Sequence, residues 1–354
     1  MRKLLISPRR ALSLGSRALR WHLKYFLGGR PGPVAVGLFT TSRCNLSCRM
    51  CGIWRDPEPK SLLYEELVGL VDAVSSLCCY FSFSGGEPLL VKDIGRMVAY
   101  ASARIPYVHL VSNGLLLTPD RCRELAAAGL DEISLSLDGE ADWHDRVRGE
   151  EGSQRSVLEA VGRLREYAPG IKIVLNTVLF PGAVDQARAA VRLARERSLL
   201  IKIQPVNRHY EFPGEDGRPE ELDFRRLDRE ELLSFIGECL RDRRVVNSSY
   251  YLRRIPDYFQ GRLTCPPIHP RCRLPEFFLE ANARGLASPC MFAAGWENGV
   301  DIAELDTPAG CRRWRRLQDQ LASCRLCEET MFICYWEPMI HFPLAHLLKY
   351  GVRR

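Results

Sequence analysis

Cys44, Cys48 and Cys51 lie in one short segment, Thr41-Ser42-Arg43-Cys44-Asn45-Leu46-Ser47-Cys48-Arg49-Met50-Cys51-Gly52-Ile53-Trp54. Three thiolates in one loop can hold three irons of a cubane cluster. The fourth iron then has no protein ligand, and an open coordination position is how a metal site leaves room for a reactant. Arg43 and Arg49 add positive charge beside an anionic cluster. A structural zinc site would need a fourth ligand, and C-x3-C-x2-C is not a usual zinc spacing. The segment reads as a redox-active iron–sulfur loop, and the chain as an enzyme.

A second set follows near the C-terminus: Cys265, Cys272, Cys290, Cys311, Cys324, Cys327 and Cys334. A C-x2-C pair with a distant pair permits a fully ligated iron–sulfur cluster or a structural zinc. Cys78, Cys79, Cys122 and Cys239 fall in apolar patterns and read as buried thiols. Fourteen cysteines would also suit a secreted disulfide protein. Against that, Arg17, Arg20 and Lys24 interrupt any signal-peptide apolar core, and the short spacings read as metal binding in a reducing cytoplasm.

The elements that must position these residues alternate along the chain. Apolar, β-branched runs at 34–40, 79–84, 107–112, 131–137, 171–179 and 199–205 predict strands. Helical patterns near 62–76, 91–103, 119–128, 153–167 and 183–197 separate them. Such alternation implies parallel strands with right-handed crossovers. On pattern alone the six strands suit either a partial barrel of six β/α units or an open doubly wound sheet. The cysteine loop directly follows the first strand, at the end where barrels keep their active sites. Residues 211–260 read as a linker and helix: 211–231 are rich in charge, Pro and Gly and lead into a helix near 228–242. Residues 261–354 read as a small cysteine-rich domain.

In this order of elements and motifs the chain resembles the radical S-adenosylmethionine (radical SAM) enzymes over roughly residues 34–210. Ser84-Gly85-Gly86-Glu87-Pro88 resembles the family's GGE motif, which meets the amino group of the methionine moiety. Glu87 is suited to an ammonium, and two glycines allow close backbone approach. Asn113 stands in an Asn-Gly that ends the third strand, as in many relatives. The resemblance implies that Ser136 meets the ribose or methionine part. His144-Asp145-Arg146-Val147-Arg148-Gly149 is similar to the family's H-x-x-x-R-G segment, and Arg148 is the candidate for the methionine carboxylate. Asn176 and Gln204, on the fifth and sixth strands, are expected at the same mouth. The implied fold is an α/β partial (β/α)6 TIM-type barrel followed by a SPASM- or twitch-like domain. In that domain the resemblance favours one auxiliary [4Fe–4S] cluster on Cys272, Cys290, Cys324 and Cys327, with zinc on the same residues, or two clusters that also use Cys265 and Cys334, as the alternatives. The implied cofactors are thus two [4Fe–4S] clusters and S-adenosyl-L-methionine, with a low-potential flavodoxin- or ferredoxin-type electron donor as partner. The implied activity is hydrogen abstraction by a 5′-deoxyadenosyl radical. Tyr210, Cys334, Tyr335 and Glu337 are the candidates for acid–base or radical-quenching roles.

Charge narrows the partners. Residues 1–55 hold eleven Lys and Arg and no acid, whereas the remainder has 39 basic and 43 acidic residues. The body is therefore no nucleic-acid surface. Residues 1–33 precede the first strand, and within them 9–27 predict a helix with Leu12, Leu19, Leu23 and Phe26 on one face and Arg10, Arg17, Arg20 and Lys24 on another. That helix either packs on the main domain or lies on an anionic membrane, which would make the protein cytoplasmic and peripheral to the membrane's inner face. The second reading raises a lipid or membrane-associated substrate. The 33 leading residues are too few for a leader-peptide-binding domain, which lowers but keeps the alternative of a peptide- or cofactor-modifying maturase. A non-catalytic iron–sulfur electron carrier is the third class.

Overall fold

The computed structural model describes residues 8–207, 222–263, 272–290, 295–324 and 331–342. Tyr210, Cys265 and Cys327 lie outside the described residues. The six expected strands are present as β1 Ala35–Thr41, β2 Tyr80–Gly85, β3 Tyr107–Ser112, β4 Glu132–Ser136, β5 Lys172–Leu179 and β6 Leu200–Pro205. Each runs parallel to its predecessor and beside it. A doubly wound sheet reverses its strand order at a switch point. This order never reverses, so the array is a partial TIM-type barrel.

The helices α1 Pro8–Phe26, α2 Tyr64–Val74, α3 Ile94–Ser102, α4 Pro119–Ala127, α5 Ala141–Arg148, α6 Ser153–Tyr167 and α7 Val184–Glu196 accompany the strands. Their starts follow local chemistry. Thr118 accepts from the Arg121 N–H ahead of Pro119 at the first position of α4. Phe81, Phe83, Leu110, Ile133 and Leu135 are fully buried in the strands. The alternate residues are polar: Ser82 meets His109 Nδ1 at 2.8 Å, and His109 Nε2 meets Ser134 Oγ at 2.8 Å. Lys202 on β6 reaches past β5 to Glu132 on β4 at 2.6 Å, which marks this face as the concave lumen.

Beyond β6, α8 Arg229–Arg241 and α9 Ser249–Phe259 pack on each other. The chain then returns to the sheet. β7 Phe278–Ala281 adds in parallel to the free edge of β1, and β8 Leu286–Ser288 and β9 Val300–Asp301 continue antiparallel. The sheet therefore runs through the boundary expected at residue 261. The helix Ile333–His341 bridges the two free sides of the six-strand array: its Ile333 N–H donates to Gln204 of β6 and its Tyr335 hydroxyl to Glu280 of β7.

Helix α1 packs on the body, with its arginine side inward. Arg17 donates to the Cys78 and Arg104 carbonyls at 2.5 and 2.6 Å, and Arg20 to that of Ser76 at 2.9 Å. These carbonyls lie just past the C-termini of α2 and α3, where orphan acceptors and the helix dipole favour cations. Arg10 pairs with Asp131 at 2.5 Å. Trp21 is fully buried, and its Nε1 donates to the Gly32 and Glu276 carbonyls. Leu12, Leu19, Leu23 and Phe26 stay exposed.

Candidate active site

The cysteine loop leaves β1 and is clamped from two sides. On one side, the Gly86 and Glu87 N–H groups donate to the Thr41 and Arg43 carbonyls at 2.7 and 2.8 Å. Gly85 holds φ +126°, and a Cβ there would sit 2.4 Å from the Thr41 carbonyl oxygen. A Cβ on Gly86 would sit 2.0 Å from that of Arg43. The two glycines thus let the second-strand turn lie directly against the cysteine loop. On the other side, the Arg49 N–H donates to the Val147 carbonyl at the end of α5. The loop folds back on itself through Trp54 Nε1 and the Cys51 N–H, both donating to the Cys48 carbonyl. Asn113 Nδ2 donates to Asn45 Oδ1 at 2.8 Å, tying in the end of β3.

Glu87 is almost completely buried, and its carboxylate is occupied. Ser112 Oγ and the Leu89 N–H donate to one oxygen and the Asn113 N–H to the other. Burial pushes its pKa up to about 7 against these hydrogen bonds. Its observed work is to brace the β2 turn against the β3 end.

His144 and Arg148 stand four residues apart on α5, so they share one face. Both reach Asp138, which is fully buried at the end of β4. His144 Nδ1 accepts from the Asp138 N–H, and Arg148 Nε donates to the Asp138 carboxylate at 2.7 Å. Burial works against the Arg148 charge, but Asp138 and Cys48 outweigh it and hold the guanidinium charged. Its Nη1 lies 4.0 Å from Cys48 Sγ. Arg148 is thereby fixed beside the cysteine loop by a buried carboxylate.

The three thiols suit a metal cluster chemically. Cys48 is buried and Cys44 and Cys51 half-buried. Burial pushes all three thiols up, Cys51 to about 12. Such thiols ionise readily only when a cation accepts them. Among the described residues, no three His, Cys, Asp or Glu side chains are gathered for one metal ion; a cubane asks each thiolate to meet a different iron. In the second set, Cys290 is buried and Cys272 and Cys324 half-buried. Cys272 lines a small cavity with Arg30, Gln318 and Ala322, two residues before Cys324.

The remaining expected residues divide. Ser136 and Asn176 are register partners on β4 and β5. Gln204 accepts from the Ile333 N–H. Tyr335 is buried with its hydroxyl 2.5 Å from Glu280. Burial pushes the Cys334 thiol far up, with Glu280 and Cys290 nearby adding to it. Glu337 accepts from the Ser248 N–H at the start of α9.

Sequence reasoning missed the lumen charges. Glu132 is buried and accepts from Lys172 at 2.7 Å, Lys202 at 2.6 Å and Tyr107 at 2.8 Å. The available signal was charge at alternate positions of otherwise apolar strands. Burial, then Lys202, lowers the His109 pKa to about 3. An unfolded histidine gains its proton near pH 6.5, and the folded one does not. Stability is therefore full above pH 6.5 and falls toward pH 3, by about 1.4 kcal/mol per pH unit for one proton. Thermal melts of wild type and His109→Gln between pH 7 and 4 check this: the variant should lose this part of the slope.

The family model for the radical SAM superfamily matches residues 38–194. The chain carries a radical SAM domain. Among curated proteins, the chain is 29% identical over 155 residues to an AdoMet-dependent heme synthase of Nitratidesulfovibrio vulgaris, covering 43% of this chain and 42% of that protein. It is 30% identical over 237 residues to a PqqA peptide cyclase of Xanthomonas euvesicatoria, covering 65% of this chain and 61% of that one. The chain thus spans about four- to six-tenths of the length of these relatives. Among solved structures, Streptococcus suis SuiB bound to S-adenosylmethionine is similar at TM-score 0.59 and 15% identity, over 82% of this chain and 70% of that one. Native anSMEcpe with bound AdoMet and Cp18Cys peptide is similar at TM-score 0.58 and 16% identity, over 90% and 97%. At these identities the structures establish the fold. The family uses a [4Fe–4S] cluster and S-adenosylmethionine.

Proposed function

We propose that this chain cleaves S-adenosylmethionine reductively and takes a hydrogen atom from a peptide or cofactor precursor. The observation that carries the reading is the clamped cysteine loop with Arg148 held beside Cys48. When bound, a [4Fe–4S] cluster on Cys44, Cys48 and Cys51 supplies the electron and S-adenosylmethionine the 5′-deoxyadenosyl radical. Arg148 binds the methionine carboxylate, and the backbone of the Gly85–Glu87 turn meets its ammonium, because the Glu87 carboxylate is already engaged. Ser136, Asn176 and Gln204 line the mouth and orient the adenosyl portion. A flavodoxin- or ferredoxin-type partner delivers the electron. Cys272, Cys290, Cys324 and Cys327 would hold an auxiliary cluster that would supply electron transfer, and Cys334 and Tyr335 are the candidates to return a hydrogen atom or proton.

The substrate class rests on one support. The curated relatives include a peptide cyclase and a heme synthase. Among the described residues, no helix is long and apolar enough to cross a membrane.

The test is anaerobic reconstitution with iron and sulfide, then dithionite and S-adenosylmethionine. The expected product is 5′-deoxyadenosine, with about 8 iron per chain when both clusters fill. Iron-replete protein that forms none overturns the proposal and leaves an electron carrier. About 4 iron with bound zinc removes the auxiliary cluster alone.

A further inference from the structure

Helix α1 is docked by the side that amphipathic helices usually turn to water. Arg10, Arg17, Arg20 and Trp21 hold it to the body, and the apolar stripe faces outward. Leu12 is 76% exposed, Leu19 61%, Leu23 53% and Phe26 69%, and Leu27, just past the helix, 85%. These residues make up five of the nine large hydrophobic side chains exposed among the described residues. Scattered exposed leucines need no explanation, but a contiguous stripe along one helix marks an interaction face.

Charge says what the face meets. Arg17 and Arg20 are held by carbonyl oxygens, so their hydrogen bonds are satisfied while their charge is not cancelled. No acid occurs before Asp56. The C-terminal end converges on the same helix: Phe342 stacks on His22 and meets Trp21 edge-on. The sequence continuing from it, Pro343-Leu344-Ala345-His346-Leu347-Leu348-Lys349-Tyr350-Gly351-Val352-Arg353-Arg354, is apolar and basic without an acid, as is Met1-Arg2-Lys3-Leu4-Leu5-Ile6-Ser7 ahead of Pro8. A second copy of this chain would bring like charges together at close range. An anionic lipid surface takes the leucines at its acyl boundary and the cations among its headgroups.

We infer that α1 seats the protein on an anionic membrane surface through Leu12, Leu19, Leu23 and Phe26. The seat lies opposite the active site. The groups that hold α1 (Ser76, Cys78, Ser102, Arg104 and Asp131) precede β2, β3 and β4, whereas the cysteine loop follows the C-terminal end of β1. The barrel mouth then faces the aqueous side, and the seat localises the protein without feeding a lipid tail into the lumen.

Flotation of the reconstituted full chain tests this, with vesicles containing phosphatidylglycerol against vesicles of phosphatidylcholine alone. Wild type should float with the anionic vesicles at low salt and less at high salt. The double variant Leu19→Asp, Leu23→Asp should bind about tenfold or more weakly. It should keep its cluster absorbance and 5′-deoxyadenosine yield, because the stripe lies outside the core. Wild type that stays at the bottom of the low-salt gradient overturns the inference, as does equal flotation of the variant. A wild-type dimer by light scattering that the variant converts to monomer assigns the face to a second copy and also overturns it.

Discussion

Gly86→Ala should remove the cluster from the cysteine loop almost as completely as Cys48→Ala does, without touching a ligand. The added Cβ would fall 2.0 Å from the Arg43 carbonyl oxygen, 2.6 Å from its carbon and 3.2 Å from the Cys44 nitrogen. All three are backbone atoms, so no side-chain rotation relieves the clash. Relief requires parting the β2 turn from the cysteine loop, which breaks the hydrogen bonds from the Gly86 and Glu87 N–H groups to Thr41 and Arg43. Leaving such buried groups unpaired costs about 1–3 kcal/mol each. A domain stable by about 5–15 kcal/mol survives that loss. The ligand geometry does not, since a shift of about 1 Å is enough to spoil a positioned site. Iron bound at the first loop and 5′-deoxyadenosine should each fall about tenfold or more, with the far-ultraviolet circular dichroism unchanged. Gly69→Ala on α2 is the matched control, because a Cβ there meets nothing within 4 Å. A Gly86→Ala protein with full iron and full activity would mean the loop holds its shape without the turn.

What the sequence made legible was repetitive and local. The six strands carry apolar residues at alternate positions on the face that the helices cover, and their observed ends lie close to the expected ones. The cysteine loop, the Gly85–Glu87 turn and the His144–Arg148 pair were visible because their chemistry depends on spacing within one segment. The less legible features depend on which groups the fold leaves unsatisfied. Periodicity separated the leucine and arginine faces of α1 correctly. It gave no sign that carbonyls past α2 and α3 would claim the arginine face and leave the leucines outside. Glu87 looked like a ligand for an ammonium, and only the structure brings Ser112 and Asn113 onto its carboxylate. The strands β7, β8 and β9 have four, three and two residues, too few for a period to register. That is why residues beyond 261 read as a separate unit when β7 in fact extends the barrel sheet.

Arg148→Met should produce two losses that a second substitution can separate. Asp138 is fully buried, and beyond Arg148 its carboxylate accepts only the Val178 N–H among the hydrogen bonds described for it. Removing the guanidinium strands a buried charge, at a cost of about 3–5 kcal/mol. The melting temperature should therefore drop by several degrees or more. The same change removes the cation 4.0 Å from Cys48 Sγ and the donor proposed for the methionine carboxylate. Losing one such preorganised donor typically lowers turnover about 10²- to 10³-fold, and 5′-deoxyadenosine formation should fall by that order with a raised KM for S-adenosylmethionine. In the double variant Arg148→Met, Asp138→Asn no buried charge remains unpaired, so the melting temperature should recover most of its loss while activity stays low. Arg148→Lys keeps the charge but not the planar fork that spans Asp138 and the cysteine loop, and should fall between the two. Recovery of both stability and activity in the double variant would make Arg148 a strut for Asp138 alone; recovery of stability without activity assigns it to the chemistry beside Cys48.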